Sequence, residues 1–337
     1  MKHLGIDVHL RSSEVCELSE RGKVLDRSRI PTTESGLRSY FGRRNRCRIV
    51  MECGASTPWI YRLLRELDHD VVVVDARNIR LIAESTLKCD RVDAEILARL
   101  SRFDPALLQP VYQRSYAAQE LRTRLKVRQS LVRSRAKLIT TIRGSLRAHG
   151  YRLGSCATRS FVARWATLEV EESLRQTLEP LVETIAELTD RITVLQRELY
   201  AEAKSDELPV RLQEVPGVGP LVALSFVAWV DRPERFATSR AVGASLGLRP
   251  ILRASGDRAH RGRITRQGDV EMRWLLVQAA HASFLAKRDS ALRRWAEQLE
   301  RRVGKAKAAV ALARKLAIVM HRMWVTGEGY QPFPKAA

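Results

Sequence analysis

The 337-residue sequence predicts an α/β domain at the N-terminus, a long helical middle and a mainly helical C-terminal domain. Three observations predict this. Short runs rich in Val and Ile alternate with amphipathic stretches over residues 3 to 75. Leu and Ile then recur at spacings of three and four between Leu174 and Leu199, and a Gly- and Pro-marked turn from Val215 to Pro220 opens another helical stretch.

Residues 3 to 31 read as three strands, HLGIDVHL, SEVCEL and KVLDRSRI, separated by turn signals such as Glu20-Arg21-Gly22. GLRSYFGRR follows as a helix, with Thr33 or Ser35 as its cap. RIVMEC is strand-like, STPWIYRLLRELD is a helix with Pro58 early enough to be tolerated, and VVVVD is a buried strand. A further helix begins near Asp90. The order β-β-β-α-β-α-β-α is that of the RNase H-like, or RuvC-like, nuclease fold, and residues 1–112 are assigned to it. A fold alone does not specify a function.

Residues 113–205 form the predicted middle domain. Between 111 and 152 there are eleven Lys or Arg against Glu120 alone. A helix burying Leu121, Leu125, Leu131, Leu138, Ile142 and Leu146 would leave its basic groups on other faces, and a merely solvated face usually balances such charge with acids. Arg122, Arg124, Lys126, Arg128, Arg133, Arg135 and Lys137 are therefore candidate nucleic-acid contacts. The following segment, Leu174, Leu178, Leu181, Ile185, Leu188, Ile192, Leu195 and Leu199, reads as a coiled-coil seam. It carries the opposite balance, with six basic against nine acidic groups over residues 153–205. Its role is scaffold or oligomerisation, pairing either with the preceding helix or with another subunit.

The C-terminal domain spans 206–330, with 331–337 as a tail. Gly217 and Gly219 before a helix that starts at Pro220 resemble the hairpin of helix-hairpin-helix modules, whose backbone N–H groups meet phosphates. An ordinary glycine-rich helix entry is the plainer alternative. Further on, GLRPILRASGDRAHRGRITRQGD holds six arginines, with Ser255 beside Gly256 among them.

Composition narrows the partners. The net charge is +21 with 59 Lys plus Arg, and Arg predominates, which favours bidentate phosphate contacts. No apolar run approaches the length of a membrane span or resembles a signal peptide, so a cytoplasmic protein is expected. The five cysteines form no CxxC or Cys/His cluster, which argues against a zinc site and against a disulfide framework.

Against this basic background four acids stand out: Asp7 and Glu52 at the ends of predicted neighbouring strands, and Asp90 and Asp93 one helical turn apart. Singly, each has a bland reading as a turn residue, a surface group or a helix cap. Together they would repel unless cations compensated them, and oxygen-only ligation suits Mg2+ or Mn2+. Two such ions could stabilise the attacking and leaving oxygens of a phosphodiester. Lys88 and Arg91 flank the helical pair and are either phosphate contacts or surface charges. In the second cluster Arg253, Arg258, Arg261, Arg263 and Arg266 surround Ser255, whose local sequence offers no activating base.

The segments GIDVHL, MECGAS and KCDRVDAEILARL resemble the three acidic motifs of the DEDD transposases of the insertion-sequence one-ten family. The tail from VPGVGPLVAL through LGLRPILRASGDRAHRGRITRQGDVEMRWLLVQAA is similar to that family's C-terminal transposase domain. The resemblance spans nearly the whole chain, although the middle matches only in helical character. It implies metal binding by Asp7, Glu52, Asp90 and Asp93, and a serine nucleophile, Ser255, that forms a covalent phosphoserine link to DNA. It also implies a composite active site within a homo-oligomer, a dimer or tetramer, and a bridge RNA pairing with donor and target DNA. Many relatives carry a second serine and a second glycine where this chain has Ala254 and Asp257.

The expected function is therefore excision and insertion of a mobile element. The rivals are a site-specific DNA invertase sharing this mechanism, a junction-resolving nuclease using the acidic domain alone, and a non-enzymatic nucleic-acid-binding protein.

Overall fold

The computed structural model describes residues 2–75, 90–102, 108–255, 258–286 and 289–333, and the side chains of 90, 91 and 252–261 are not among those described. The chain divides into two compact units, Met1–Arg114 and Ser115–Ala337.

In the first unit β1 (His3–Val8), β2 (Ser12–Leu18), β3 (Val24–Pro31), β4 (Arg48–Glu52) and β5 (Asp70–Val74) form one sheet in the order β3-β2-β1-β4-β5. The first three strands run antiparallel, whereas β4 is parallel to both β1 and β5. This topology puts the carboxyl ends of β1, β4 and β5 side by side on one edge. Period-two alternation then sorts the side chains. Leu4, Ile6, Ile49, Met51, Val71 and Val73 bury one face against α1 (Glu34–Phe41) and α2 (Thr57–Glu66). Thr33 caps α1, its side chain accepting from the Gly36 N–H. Val50, Val72 and Val74 bury the other face against Leu97 and Leu100 of α3 (Asp90–Leu100).

Gly5 explains how α3 lies so close. A Cβ there would collide with the Ala94 carbonyl oxygen and the Ala98 nitrogen, so only hydrogen allows the helix backbone to cross β1 at this point. By alternation Gly5 and Asp7 share that face of β1. The parallel register that pairs Ile6 with Met51 brings Asp7 level with Glu52.

The second unit begins with α4 (Tyr116–Ala148), α5 (Phe161–Ala166) and α6 (Glu172–Ser205). Ser115 caps α4 and donates to the Asp231 carboxylate at 2.6 Å. On α6 the residues removed from solvent include Leu178, Ile185, Ile192 and Leu199, spaced by seven, while Leu181, Leu188 and Leu195 are half-buried. The chain continues through α7 (Glu207–Leu212), α8 (Pro220–Val230) and α9 (Ser239–Ser245) to a hairpin of β6 (Pro250–Ser255) and β7 (Arg258–Ile264). It ends in α10 (Val270–Leu285), α11 (Ala291–Val303) and α12 (Lys305–Thr326). Phe226, Trp229, Val242, Leu276, Leu312, Leu316 and Met320 lie at the centre of the core that these later helices share.

The hairpin β6–β7 interrupts a domain that the sequence predicts to be mainly helical. Its charge obscures the alternation: Ile251, Leu252 and Ile264 are the only large apolar residues in the two strands.

Among the described residues no helix is long and apolar enough to cross a membrane.

Candidate active site and nucleic-acid surfaces

The first unit brings three of the predicted acids into one neighbourhood. Glu52 stands at the exposed end of β4. Partial desolvation of its carboxyl, and the negative charges of Asp7, Asp75 and Asp93, push its pKa above the usual carboxylate range. Asp93 lies in the first turn of α3, one residue before the Ala94 that meets Gly5. Asp90 begins the same helix, and its side chain is outside the described set. Lys88 also lies outside the described residues.

Asp75 is an acid that sequence reasoning passed over. Val74 pairs with Glu52, and the Cys53 N–H donates to the Val74 carbonyl at 2.8 Å, so Asp75 leaves β5 at the same edge as Glu52. An isolated Asp after a run of valines looks like a turn residue. Only the parallel alignment of β4 and β5 reveals its relation to the other acids. His9 is a second addition, with Nε2 3.1 Å from Asp7 Oδ2.

Taken together, the strand edge offers hard oxygen donors with excess negative charge, which is the chemistry Mg2+ or Mn2+ requires. Among the described residues no three His, Cys, Asp or Glu side chains are drawn tightly enough to hold an ion. The side chain of Asp90, the remaining acid of the predicted set, lies outside those residues.

In the second unit Ser255 is the last residue of β6 and pairs with Arg258 across the hairpin. The backbone register therefore puts Ser255 at the end of the two-stranded ribbon, with Arg253 opposite His260 and Arg261 opposite Leu252. Gly256 and Asp257 lie outside the described residues. Arg263 and Arg266 are exposed, and Arg266 has a left-handed φ of 58°.

The basic helix α4 divides its charges by helical phase. Arg124 pairs with Glu202 of α6 at 2.7 Å, Arg128 donates to the Gln196 side chain at 2.8 Å, and Arg135 donates to Thr189 at 3.2 Å. Desolvation lowers the pKa of Arg128 and Arg135 from the usual guanidinium value. Arg122 pairs with Asp269 at 2.8 Å and Arg133 with Glu271 at 3.3 Å. Of the seven predicted contacts, Lys126 and Lys137 stand exposed along the outer face, where Arg147 also lies.

The two glycines of the turn before α8 have different environments. Gly217 has φ +88° and presses on α10, where a Cβ would meet the Ala279 carbonyl and come within 2.7 Å of the Ser283 nitrogen. Gly219 caps α8 in an extended conformation, and a Cβ there would meet nothing within 4 Å. A side chain therefore has space at Gly219, whereas Gly217 serves the packing of the turn.

Comparisons with known proteins match two separate stretches of the chain. A DEDD transposase model matches residues 4–150, and a model of the transposase IS116/IS110/IS902 family matches residues 210–296. The transposase for insertion sequence element IS1111A of Coxiella burnetii is 28% identical over 98% of this chain and 92% of its own length. A putative transposase, y4pF/y4sB, of Sinorhizobium fredii is 30% identical over 83% of this chain and 73% of its own. The transposase for insertion sequence element IS1328 of Yersinia enterocolitica is 27% identical over 93% of this chain and 94% of its own. With both halves matched in order and full-length relatives on either measure, the chain belongs to the IS110 family of DEDD transposases.

Proposed function

We propose that this transposase excises and inserts its mobile element through a covalent phosphoserine intermediate, with Asp7, Glu52, Asp90 and Asp93 as metal ligands. The observation that carries the reading is the convergence of Asp7, Glu52 and Asp93 where β1, β4 and α3 meet, on a chain with a net charge of +21. Mg2+ or Mn2+ bound there would polarise the scissile phosphate and stabilise the leaving oxygen. Asp75 adds charge at the rim of the same group and helps to set its affinity for cations.

Ser255 supplies the nucleophile. Its Oγ bonds to phosphorus while the bond from phosphorus to the leaving sugar oxygen breaks; the seryl proton is lost and the sugar oxygen gains one. The arginines of the hairpin, Arg253, Arg258, Arg261 and Arg263, and Arg266 just beyond it hold the non-bridging oxygens and favour the seryl alkoxide. Because the phosphodiester bond energy is kept in the ester, a second DNA end can displace the serine and restore a continuous strand. Exposed Lys126 and Lys137 and the open turn at Gly219 support contact with donor and target DNA and with a bridge RNA. The seam on α6 is buried within the chain against α4 and its neighbours, so assembly into a dimer or tetramer would use other surfaces.

The test is a denaturing gel of the purified chain incubated with Mg2+ and DNA carrying the element's ends. A covalent protein–DNA adduct is expected for the native chain and none for Ser255→Ala, which should still bind DNA. A normal adduct from Ser255→Ala overturns the serine assignment, and full activity in Asp7→Asn and Asp93→Asn overturns the metal assignment. RNA copurified with the chain should match the element's flanks; random cellular RNA removes the guide.

A further inference from the structure

The last two helices form a second basic region that overlaps the family match only at its start. Residues 291–326 carry nine Lys or Arg against Glu297 and Glu300, and only 291–296 fall within the matched segment. Between α11 and α12 lies a cavity of about 270 Å3. Leu292, Trp295, Val319, Met323, Tyr330 and Pro332 supply its apolar and aromatic lining. The chain beyond α12 forms one wall of it and is fixed at two points. The Tyr330 N–H donates to Glu214 at 2.7 Å, and the Pro332 carbonyl accepts from the Ala291 N–H at 2.8 Å.

The polar groups around this cavity are mostly cationic. Lys315 and Arg322 line it and are exposed, with Glu328 as the opposing charge. The Lys315 ammonium lies 5.3 Å from the centroid of the Trp295 ring. The volume falls below the roughly 300–1,000 Å3 of sites for drug-sized ligands, and a cavity of about 150 Å3 already holds a benzene ring. One planar heterocycle is therefore the fitting size. Aromatic walls favour a group that stacks, and cations on the rim favour one attached to a phosphate.

We propose that this cavity takes an unpaired nucleobase of a single-stranded nucleic acid, stacked against Trp295, with Lys315 and Arg322 on the adjoining phosphates. A base held in a duplex is stacked on its neighbours and cannot enter, so the site selects unpaired segments. The inference rests on the nucleic-acid reading above and adds to it a place and a strand preference.

The test uses the full chain, a fluorescent single-stranded 12-mer, the corresponding duplex, and a 12-mer containing 5-bromouridine for photocrosslinking. Trp295→Leu keeps the apolar packing while removing the stacking surface. A base–aromatic stack is worth about 1–3 kcal/mol, so affinity for the single strand should fall about 5- to 150-fold while duplex affinity stays within twofold. Lys315→Ala, at an exposed position, should weaken single-strand binding in the same direction and lower its salt dependence. Crosslinked peptides should contain Trp295 or Tyr330. Single-strand affinity within twofold of native in both variants, or crosslinks confined to other segments, overturns the proposal. That is also the result if the cavity takes an apolar side chain of a protein partner. A native chain that binds neither strand form overturns the nucleic-acid reading itself.

Discussion

Gly5 of β1 and Ala94 of α3 meet backbone to backbone, with no room for a Cβ between them. Asp7 lies two residues beyond one partner and Asp93 one residue before the other, so this crossing sets the separation of two candidate metal ligands. Gly5→Ala should force α3 away from the sheet, destabilising the first unit by about 1–3 kcal/mol in urea denaturation. It should also reduce the rise in melting temperature that Mn2+ gives the native chain. Native stability together with a native Mn2+ response would show that the crossing does not govern the acids.

The phase of α4 gives a second prediction, because it separates structural from binding charges. Arg128→Ala leaves Gln196 without its hydrogen-bond partner inside the α4–α6 pair, and should cost about 1–3 kcal/mol of stability. Its effect on the salt dependence of nucleic-acid binding should be small. Lys126→Ala and Lys137→Ala should do the reverse, leaving stability within about 0.5 kcal/mol and each reducing the slope of log affinity against log salt by about 1. Chemical denaturation and binding titrations at several salt concentrations check both halves.

These contrasts also show what could be read in advance. Asp7 and Glu52 were legible because each ends a strand-like run, and the strand order followed from the spacing of such runs. Asp75 was not, since its neighbours in space come from a parallel pairing that no local pattern encodes. Arg124, Arg128 and Arg135 were counted as surface charge because a count ignores helical phase. Their spacings of four and seven put them on the side of α4 that meets α6, where long aliphatic stems pack and the guanidinium groups find acceptors. The basic region of α11 and α12 is hard to read for the opposite reason: the alanine-rich sequence of α12 draws attention to its buried face.

The turn before α8 offers a third prediction. Gly217→Ala puts a Cβ at positive φ against the α10 backbone, and should destabilise the second unit by more than the roughly 1 kcal/mol expected for the backbone strain alone. Gly219→Ala has space for its Cβ and an extended backbone, so it should fold normally. Any loss in the Gly219 variant should appear in duplex affinity, since the added methyl group stands where a phosphate would approach the N-terminus of α8. Thermal melts separate the two variants, and a Gly217→Ala chain as stable as the native one would refute the packing role.

His321 of α12 provides the pH prediction. It is 1% exposed, with Nε2 3.1 Å from the Pro233 carbonyl and Nδ1 3.0 Å from the Ser239 hydroxyl. In the neutral ring Nε2–H donates to Pro233 and Nδ1 accepts from Ser239. Burial holds its pKa below the ordinary value of 6.5; the backbone hydrogen bond to Pro233 and the charge of Glu234 oppose that shift, and Arg235 adds to it. Between the folded and unfolded pKa values the unfolded chain binds more protons, so stability is retained above about pH 6.5 and lost as the pH falls below it. His69, buried between Cys47 and Phe41 in the first unit, acts in the same direction. Denaturation at pH 7.5 and 5.5 should therefore show an acid loss in both units. His321→Gln should lower stability at pH 7.5, where it disturbs two hydrogen bonds, yet flatten the pH dependence of the second unit. An unchanged slope would move the acid sensitivity of that unit away from His321.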